Sequence, residues 1–230
     1  MIEFGNIISY SEMCKEEDAN LQRGMYFRLH NKYSVLLMSL RKNAPYADRI
    51  EENGQILIYE GHDNPKSQGE SNKENTNQSL YNPSGSLNQN GLFYTSALKY
   101  KNDQEQAEII KVYEKLRPGI WVYNGFYKLE DAWQEISDSR TVFKFKLLLL
   151  NNSEDIKIQN RQIDHTRIIP TSVKLEVWKR DKGQCIICKS KDNLHFDHII
   201  PYSKGGSSLV ASNIQLLCAR HNLTKRDNIE

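Results

Sequence analysis

The C-terminal stretch from Cys185 to Lys225 decides the fold of this 230-residue chain, and it reads CIICKSKDNLHFDHIIPYSKGGSSLVASNIQLLCARHNLTK. Cys185 and Cys188 form one short pair of potential metal ligands, and 29 residues separate them from a second pair, Cys218 and His221. Three thiolates and one imidazole at these spacings can close a tetrahedral zinc shell. Because a module of about 60 residues has a marginal core, we expect a structural Zn²⁺ to stabilise it. Buried or redox-active cysteines are the alternative.

The residues between the two pairs include the side chains that phosphodiester hydrolysis requires. The reaction needs a base that takes a proton from water near neutral pH, and a histidine with a pKa of roughly 6.5 can do this. It also needs a cation at the scissile phosphate, held by hard oxygen ligands. Asp197 and His198 are adjacent, so on a β-strand their side chains point to opposite faces and can take separate roles.

Four parts of a known motif follow one another in this stretch, namely DHIIP at 197–201, Gly205-Gly206, Asn213, and the run from Cys218 to Lys225. Together they resemble the HNH nuclease motif, over about residues 170–230. The resemblance implies a zinc-stapled ββα-metal fold, with the first part of the motif on a strand and the last on a helix. This chain departs from the family at His221, where a second C-terminal cysteine is usual.

The resemblance also implies a role for each matching residue. Asp197 and Asn222 would hold a catalytic divalent metal, Mg²⁺ or Mn²⁺, and His198 would be the general base. Asn213 would bond the backbone of the intervening loop and so hold His198 in place. Lys225, one turn beyond Asn222, would contact phosphate. These residues form the predicted catalytic site.

Two histidines and one assignment remain open in this region. Either His221 or Asn222 can be the final catalytic residue, and the chelate spacing of Cys218 and His221 favours His221 on zinc. His195 is expected at the surface, and His165 is expected to be structural or exposed to solvent. A zinc-stapled DNA-binding knuckle without catalysis is the alternative for the whole module.

The composition excludes several other classes of protein. The remaining cysteine, Cys14, stands alone, so the four cysteines do not form the distributed even set of a secreted disulfide scaffold. The apolar run from Val142 to Leu150 is interrupted by Lys144 and Lys146, so no stretch approaches the roughly 18 residues of a membrane span. The N-terminus shows no signal-peptide pattern. We therefore expect a cytoplasmic protein with no membrane partner.

Charge is distributed unevenly along the chain. Residues 160–230 contain 12 basic and 7 acidic side chains, a net charge of +5, whereas residues 1–159 contain 19 basic and 22 acidic ones, a net charge of −3. The C-terminal part therefore has the charge that attracts a polyanion, although +5 alone is weak evidence for nucleic acid binding.

Hydrophobic patterning predicts an α+β fold with an N-terminal domain at 1–150, a linker at 151–169 and the nuclease domain at 170–230. The predicted elements of the N-terminal domain are strands at 34–40 and 55–60, a polar mobile loop at 64–90, a helix at 104–116, and strands around an Asn124-Gly125 turn. A capped helix is predicted after Pro170, ending near Gly183.

The N-terminal part also resembles a known family, over roughly residues 20–150. The residues that indicate this are Tyr59 to Asp63, the long polar loop, the run from Gly119 to Leu129, and Trp133. They look like an SRA (YDG) domain, although the Tyr-Asp-Gly of that family is Tyr123-Asn124-Gly125 here. The resemblance implies an SRA-like twisted β-barrel or sheet with helices. Such a domain flips a modified cytosine out of duplex DNA and holds it in a pocket.

A flipped base needs aromatic faces that replace its lost stacking and polar groups along its Watson–Crick edge. By the resemblance, Tyr46 and Tyr59 would supply the faces, and Asp48 would accept a hydrogen bond from the exocyclic amine of cytosine. Glu60 stands where the family often has a small hydroxyl residue, so it can favour a hydroxymethyl or other polar mark, and a side chain that faces elsewhere is the alternative. Ordinary core packing is the alternative for both tyrosines, and Arg49 is the alternative to Asp48. Two lysines of the loop, Lys66 and Lys73, would contact phosphate.

The two resemblances together predict a bacterial type IV, modification-dependent DNA endonuclease. It would read 5-methylcytosine or 5-hydroxymethylcytosine in double-stranded DNA and hydrolyse nearby phosphodiester bonds. A double-strand break requires two active sites, so we expect a homodimer. Two alternatives remain: a sequence-specific HNH endonuclease or nickase that ignores modification, and a non-catalytic reader of modified DNA.

Overall fold

A computed structural model describes residues 2–42, 44–52, 55–63, 76–137, 139–150 and 169–225. The chain forms two compact units. The first comprises Met1–Leu21, Tyr113–Gly125 and Gln162–Glu230, and the second comprises Gln22–Val112 and Phe126–Arg161. Lys66, Lys73 and His165, and the predicted linker 151–169 except for its last residue, lie outside the described residues. The predicted domain boundaries differ from these units because two N-terminal segments, 1–21 and 113–125, fall in the first unit.

Runs of consecutive strands are separated by single helices, which confirms the predicted α+β class. In chain order they are β1 (Ile7–Ser9), α1 (Tyr10–Glu16), β2 (Met25–Leu29), β3 (Tyr33–Met38), β4 (Arg49–Glu51), β5 (Ile56–Glu60), α2 (Gln89–Lys101), β6 (Ile109–Arg117), β7 (Ile120–Ser137), β8 (Arg140–Leu149), α3 (Thr171–Arg180), β9 (Leu194–His198), β10 (Ile214–Cys218) and α4 (Ala219–Lys225). No helix among the described residues has the length and apolarity needed to span a membrane.

The chain contains an eight-stranded sheet in the order β2-β3-β6-β7-β8-β5-β4, with β1 paired to β7. Its strands are rich in β-branched and aromatic residues, which pack well on a pleated surface. All five residues of β5 are buried, and β5 pairs antiparallel with β8 so that Glu60 lies opposite Lys144. This register brings a carboxylate and an ammonium together inside the unit.

Three predictions of local structure were wrong. The predicted helix 104–116 contains most of strand β6 instead, because β6 has a partner on each side and both its faces are covered. The predicted turn at Asn124-Gly125 lies inside β7, where Asn124 is buried and Gly125 takes a positive φ of 93°. Helix α2 begins inside the predicted loop 64–90, where the Asn88 side chain accepts a hydrogen bond from the Gly91 N–H.

The first unit encloses a buried ion pair. Glu114 is fully buried and accepts hydrogen bonds from Lys174 Nζ (2.6 Å), Asn124 Nδ2 (2.9 Å) and the Thr171 hydroxyl. Lys174 Nζ also donates to Asn124 Oδ1 at 2.9 Å. Burial opposes the charge on Glu114, but the Lys174 ammonium and these hydrogen bonds hold the pKa of Glu114 below its ordinary value. A single amide at position 124 therefore serves both charged partners.

Replacing Lys174 by Met is expected to lower the free energy of unfolding by about 3–5 kcal/mol, because Glu114 would lose its counter-ion while staying buried. Urea unfolding, followed by circular dichroism, measures the change. The matched control is Lys179→Met on the exposed side of the same helix, with an expected change within about 0.5 kcal/mol. Equal urea midpoints for Lys174→Met and Lys179→Met would contradict the stabilising role of the buried Lys174–Glu114 ion pair. Adding Glu114→Gln to Lys174→Met should restore part of the loss.

Candidate functional sites

The C-terminal part of the first unit is a β-hairpin followed directly by a helix. Strands β9 and β10 pair antiparallel, with Leu194 opposite Cys218 and His198 opposite Ile214, and α4 begins at Ala219. The loop between the strands is closely packed. A Cβ atom at Gly206 would lie 1.8 Å from the Ile200 carbonyl oxygen, so only glycine fits there. This is the ββα arrangement that the HNH resemblance implied.

The four predicted zinc ligands converge at one end of this hairpin. The ligand atoms of Cys185, Cys188, Cys218 and His221 all lie within 4.8 Å of one another. The Cys188 and Cys218 sulfurs are 3.7 Å apart, and His221 Nδ1 lies 3.3 Å from the Cys218 sulfur and 3.4 Å from the Cys185 sulfur. Zinc–sulfur bonds of roughly 2.3 Å imply sulfur–sulfur edges of roughly 3.8 Å in a tetrahedron. The cluster can therefore hold zinc.

The surroundings of Cys185 favour a thiolate. Burial by itself would raise the pKa of this thiol, but N–H groups of Cys188, Cys218 and Ile187 and the His221 ring bond its sulfur and lower the pKa to about 6. A ligand thiol must lose its proton when it binds a metal. The cluster therefore combines zinc-like distances with hydrogen bonds that stabilise the required charge.

Three of the predicted catalytic residues line one cavity. Asp197, His198 and Asn222 surround a space of about 220 Å³, together with Tyr202 and other residues of the first unit. His198 Nε2 lies 2.8 Å from the Ser208 hydroxyl oxygen, which fixes the orientation of the imidazole. Carboxylate and amide oxygens are ligands of the kind that Mg²⁺ and Mn²⁺ prefer, so Asp197 and Asn222 suit a hard divalent metal.

Asn213 makes the loop contacts that the sequence analysis predicted for it. Its side-chain amide donates to the carbonyl oxygens of Ile200 (3.2 Å) and Ser207 (3.1 Å) and accepts from the Ile200 N–H (2.9 Å). Its own carbonyl accepts from the Ile199 N–H at 2.7 Å. These bonds fix the backbone directly after His198.

Lys225 lies elsewhere than predicted. Its side chain is 1% exposed, Nζ lies 2.9 Å from Asp197 Oδ2, and Nζ donates to the His198 carbonyl oxygen at 2.6 Å. The geometry corrects the predicted phosphate contact, because α4 turns this side chain into the unit. Lys225 holds the two strand residues that face the cavity.

His195 is buried, at 7% exposure, rather than at the surface as predicted. The residue bridges to Asn6, and its Nε2 lies 3.5 Å from Asn6 Nδ2. Burial lowers the pKa of His195. Within the described part of the chain its Nδ1 has no hydrogen-bond partner.

The second unit brings the four predicted base-pocket residues together. Asp48 Oδ1 accepts a hydrogen bond from the Glu60 N–H (3.0 Å), and Glu60 Oε2 accepts one from the Ala47 N–H (3.2 Å). Tyr46 and Tyr59 both contact the ring of His62. Tyr46, Asp48 and Glu60 also line one cleft of about 600 Å³. Tyr59 is 1% exposed, which matches the core-packing alternative more closely than an open stacking face.

Asp48 is the polar group whose protonation changes near neutral pH. Burial raises the pKa of its carboxyl to about 7, although hydrogen bonds from the Glu60 and Ser39 N–H groups favour the charged form. The neighbouring Glu60 carboxylate is paired with Lys144 (2.8 Å) and Arg140 (3.2 Å). The Glu60 carboxylate therefore forms ion pairs with two cations. Among the described residues, Asp48 forms no ion pair.

The structure adds three residues to the pocket that the sequence analysis missed: Arg140, Lys144 and His62. Lys144 lies in a strand with predominantly apolar neighbours, so its charge already indicated an internal partner. Arg140 bonds both Glu60 and Asp63. His62 lies two residues after Glu60, but nothing in the sequence indicated which way its ring would point.

Comparison with known proteins gives one family match and several structural ones. The HNH endonuclease family model matches residues 185–230. Among solved structures, the SUVH5 SRA domain with hemi-methylated CG DNA has a TM-score of 0.46 and 22% identity, over 66% of this chain and 90% of that one. The same domain bound to fully hydroxymethylated CG DNA has a TM-score of 0.43 and 20% identity, over 66% and 87%. The modification-dependent TagI restriction endonuclease has a TM-score of 0.43 and 18% identity, over 96% and 76%.

No curated protein matches the chain. The family match covers the hairpin, the Cys185/Cys188/Cys218/His221 cluster and the cavity residues Asp197, His198 and Asn222. The family match thus supports the predicted nuclease module, and residues 185–230 are similar to the HNH endonuclease family.

Proposed function

We propose that the protein is a type IV, modification-dependent DNA endonuclease, with a base-reading site in the second unit and a metal-dependent nuclease site in the first. The observation that carries the proposal is the shared cavity of Asp197, His198 and Asn222 inside the segment that matches the HNH endonuclease model. The base-reading half rests on the cluster of Tyr46, Asp48 and Glu60 in the second unit.

In the nuclease site, His198 takes the proton from the attacking water. Ser208 and Asn213 hold its ring and its backbone in place, so that no reorientation is needed when the substrate arrives. Asp197 and Asn222 would hold Mg²⁺ or Mn²⁺, which supplies charge stabilisation at the phosphate and the leaving oxygen. The Lys225 ammonium holds the Asp197 carboxylate in its orientation. Zn²⁺ on the Cys185 cluster is structural.

In the reading site, a flipped cytosine stacks on Tyr46 while Asp48 accepts a hydrogen bond from its exocyclic amine. Base–aromatic stacking contributes about 1–3 kcal/mol, which is similar to the few kcal/mol that unpairing costs. Stacking alone therefore leaves binding nearly balanced. The polar contacts of Asp48 and Glu60 with 5-methylcytosine or 5-hydroxymethylcytosine decide which base stays in the pocket.

Replacing Asp48 by Asn is expected to weaken binding of the modified duplex about tenfold at pH 8, because the amide cannot supply the charged acceptor. The raised pKa of about 7 means that Asp48 is protonated below that pH and charged above it. Wild-type affinity relative to Asp48→Asn should therefore rise from pH 6 to pH 8. Fluorescence anisotropy measures both series. Asp103→Asn, in an exposed turn, is the control. If the ratio of wild-type affinity to Asp48→Asn affinity does not change between pH 6 and pH 8, the role of Asp48 is contradicted.

The remaining parts of the proposal concern assembly and location. A double-strand break needs two nuclease sites, so two copies of the chain act together as a homodimer in the bacterial cytoplasm. Light scattering of the protein with and without a modified duplex measures this. A 1:1 complex that still makes double-strand breaks would contradict it.

A binding experiment with a cleavage-deficient variant tests the reading half. The full-length His198→Ala protein is titrated with duplexes of one sequence that contain cytosine, 5-methylcytosine or 5-hydroxymethylcytosine, without added divalent metal. Tighter binding to a modified duplex by tenfold or more is the expected result. Equal affinity for all three duplexes would contradict modification reading and would leave a sequence-specific endonuclease.

A further inference from the structure

The ring of His62 lies flat on the ring of Tyr46. Their centroids are 4.7 Å apart and their planes differ by 9°, which is the geometry of a stacked pair. His62 Nε2 also lies 2.9 Å from the Tyr59 hydroxyl oxygen. An imidazole therefore covers one face of the tyrosine that is proposed to stack on a flipped base.

The surrounding structure holds His62 in this position. The buried Asn90 amide accepts from the His62 N–H (2.9 Å) and donates to its carbonyl oxygen (2.7 Å). On another side, a Cβ atom at Gly24 would lie 2.4 Å from the imidazole, so the chain passes close to the ring. Two backbone hydrogen bonds fix the main chain of His62, and the side chain can leave Tyr46 only by rotation about its Cα–Cβ bond.

We propose that His62 occupies, in the free protein, the stacking position on Tyr46 taken by a flipped cytosine. The proposal rests on the function proposed for this pocket. A planar imidazole replaces the face of a pyrimidine, and its contact with Tyr59 holds it there. A flipped base enters by displacing His62 into the cleft that His62 and Tyr46 both line.

Because an entering base must displace His62 from Tyr46, base entry costs the free energy of the His62–Tyr46 contact. A base that offers stacking alone gains one aromatic contact while the protein loses another, so the two nearly cancel. A base whose polar edge also bonds Asp48, and whose substituent gains further contacts, retains a net advantage. His62 therefore lowers affinity by a similar factor for every base, and only a base with further contacts binds tightly enough to stay flipped.

Full-length variants combined with His198→Ala, titrated with unmodified and 5-methylcytosine duplexes, test the proposal. With His62→Ala we expect affinity to rise about threefold for both duplexes, because the substitution removes the same displacement cost from each. With His62→Phe, a ring that stacks more strongly, affinity for both duplexes should fall. The opposite signs separate this effect from misfolding, and thermal melting checks each variant. His30→Ala, at an exposed histidine of the same unit, is the control.

Two results would overturn the inference. If His62→Ala weakens modified-duplex binding as much as Tyr46→Ala does, His62 is a direct contact of the base rather than its substitute. If neither His62 variant changes affinity, the ring does not lie in the path of the base. Failure of the proposed function looks different, because the wild type and Tyr46→Ala would then bind modified and unmodified duplexes equally.

Discussion

Replacing His198 by Ala is expected to abolish DNA cleavage, with a fall in the single-turnover rate of about a thousandfold or more, while binding to modified DNA stays within about threefold. General-base catalysis contributes about 10²–10⁴-fold, and no other described side chain in the cavity is a histidine. The base-pocket residues belong to the other compact unit, so the substitution leaves them intact. Single-turnover cleavage and fluorescence anisotropy measure the two effects separately.

The control is Ser203→Ala, an exposed residue at the same cavity, whose rate should stay within about threefold of wild type. A His198→Ala protein that cleaves at the control rate would remove His198 as the general base. Loss of both cleavage and binding, in a protein that melts normally, would contradict separate reading and cutting sites.

Replacing Cys185 by Ser is expected to release the zinc ion and unfold the part of the first unit that contains the ββα hairpin. Structural zinc contributes about 10–16 kcal/mol of binding free energy in small zinc modules, which exceeds what so small a core supplies. Elemental analysis should find one zinc per wild-type chain and much less in the variant. Limited proteolysis should cut the variant near its C-terminus, and cleavage of DNA should be lost.

Cys14→Ser is the matched control, because Cys14 lies in the first unit but outside the ligand cluster. It should keep both zinc and activity. A Cys185→Ser protein that is folded and active without zinc would refute the structural-metal assignment. Chelation of the wild type should reproduce the effect of Cys185→Ser, with the rate of loss set by zinc release.

The zinc cluster and the nuclease hairpin could be predicted from sequence because their residues are close along the chain. Each pair, Cys185 with Cys188 and Cys218 with His221, sits on one short segment, so spacing alone limits the geometry. Asn213 is similar, since its predicted contacts are with a neighbouring loop. The α+β class followed from segments whose polarity alternates clearly.

Other features depend on contacts between distant residues. The segment 104–116 has helical periodicity, but β6 becomes a strand because both of its sheet neighbours pair with it. Lys225 has the position of a surface lysine on α4, yet Asp197, 28 residues earlier in the chain, draws it inward. His195 is buried against Asn6, which is 189 residues away. A local sequence pattern does not predict contacts between residues so far apart in the chain.

The proposed base pocket also depends on contacts between residues that are distant in the sequence. Asp48 and Glu60 were identified through resemblance, but the Lys144 and Arg140 partners of Glu60 come from strand β8, more than 75 residues further on. The stacking of His62 on Tyr46 depends on side-chain torsions that residue spacing does not specify. The contacts of the proposed base pocket are therefore the ones that sequence reasoning reaches last.

The most direct measurement of the central claim is a cleavage gel with three duplexes of identical sequence. They contain cytosine, 5-methylcytosine or 5-hydroxymethylcytosine, and each is incubated with full-length protein and Mg²⁺, Mn²⁺ or EDTA. We predict metal-dependent cutting of modified duplexes only, with no cutting in EDTA and none by His198→Ala. Equal cutting of all three duplexes would contradict modification reading, and an inert wild type that binds modified DNA would contradict the nuclease assignment.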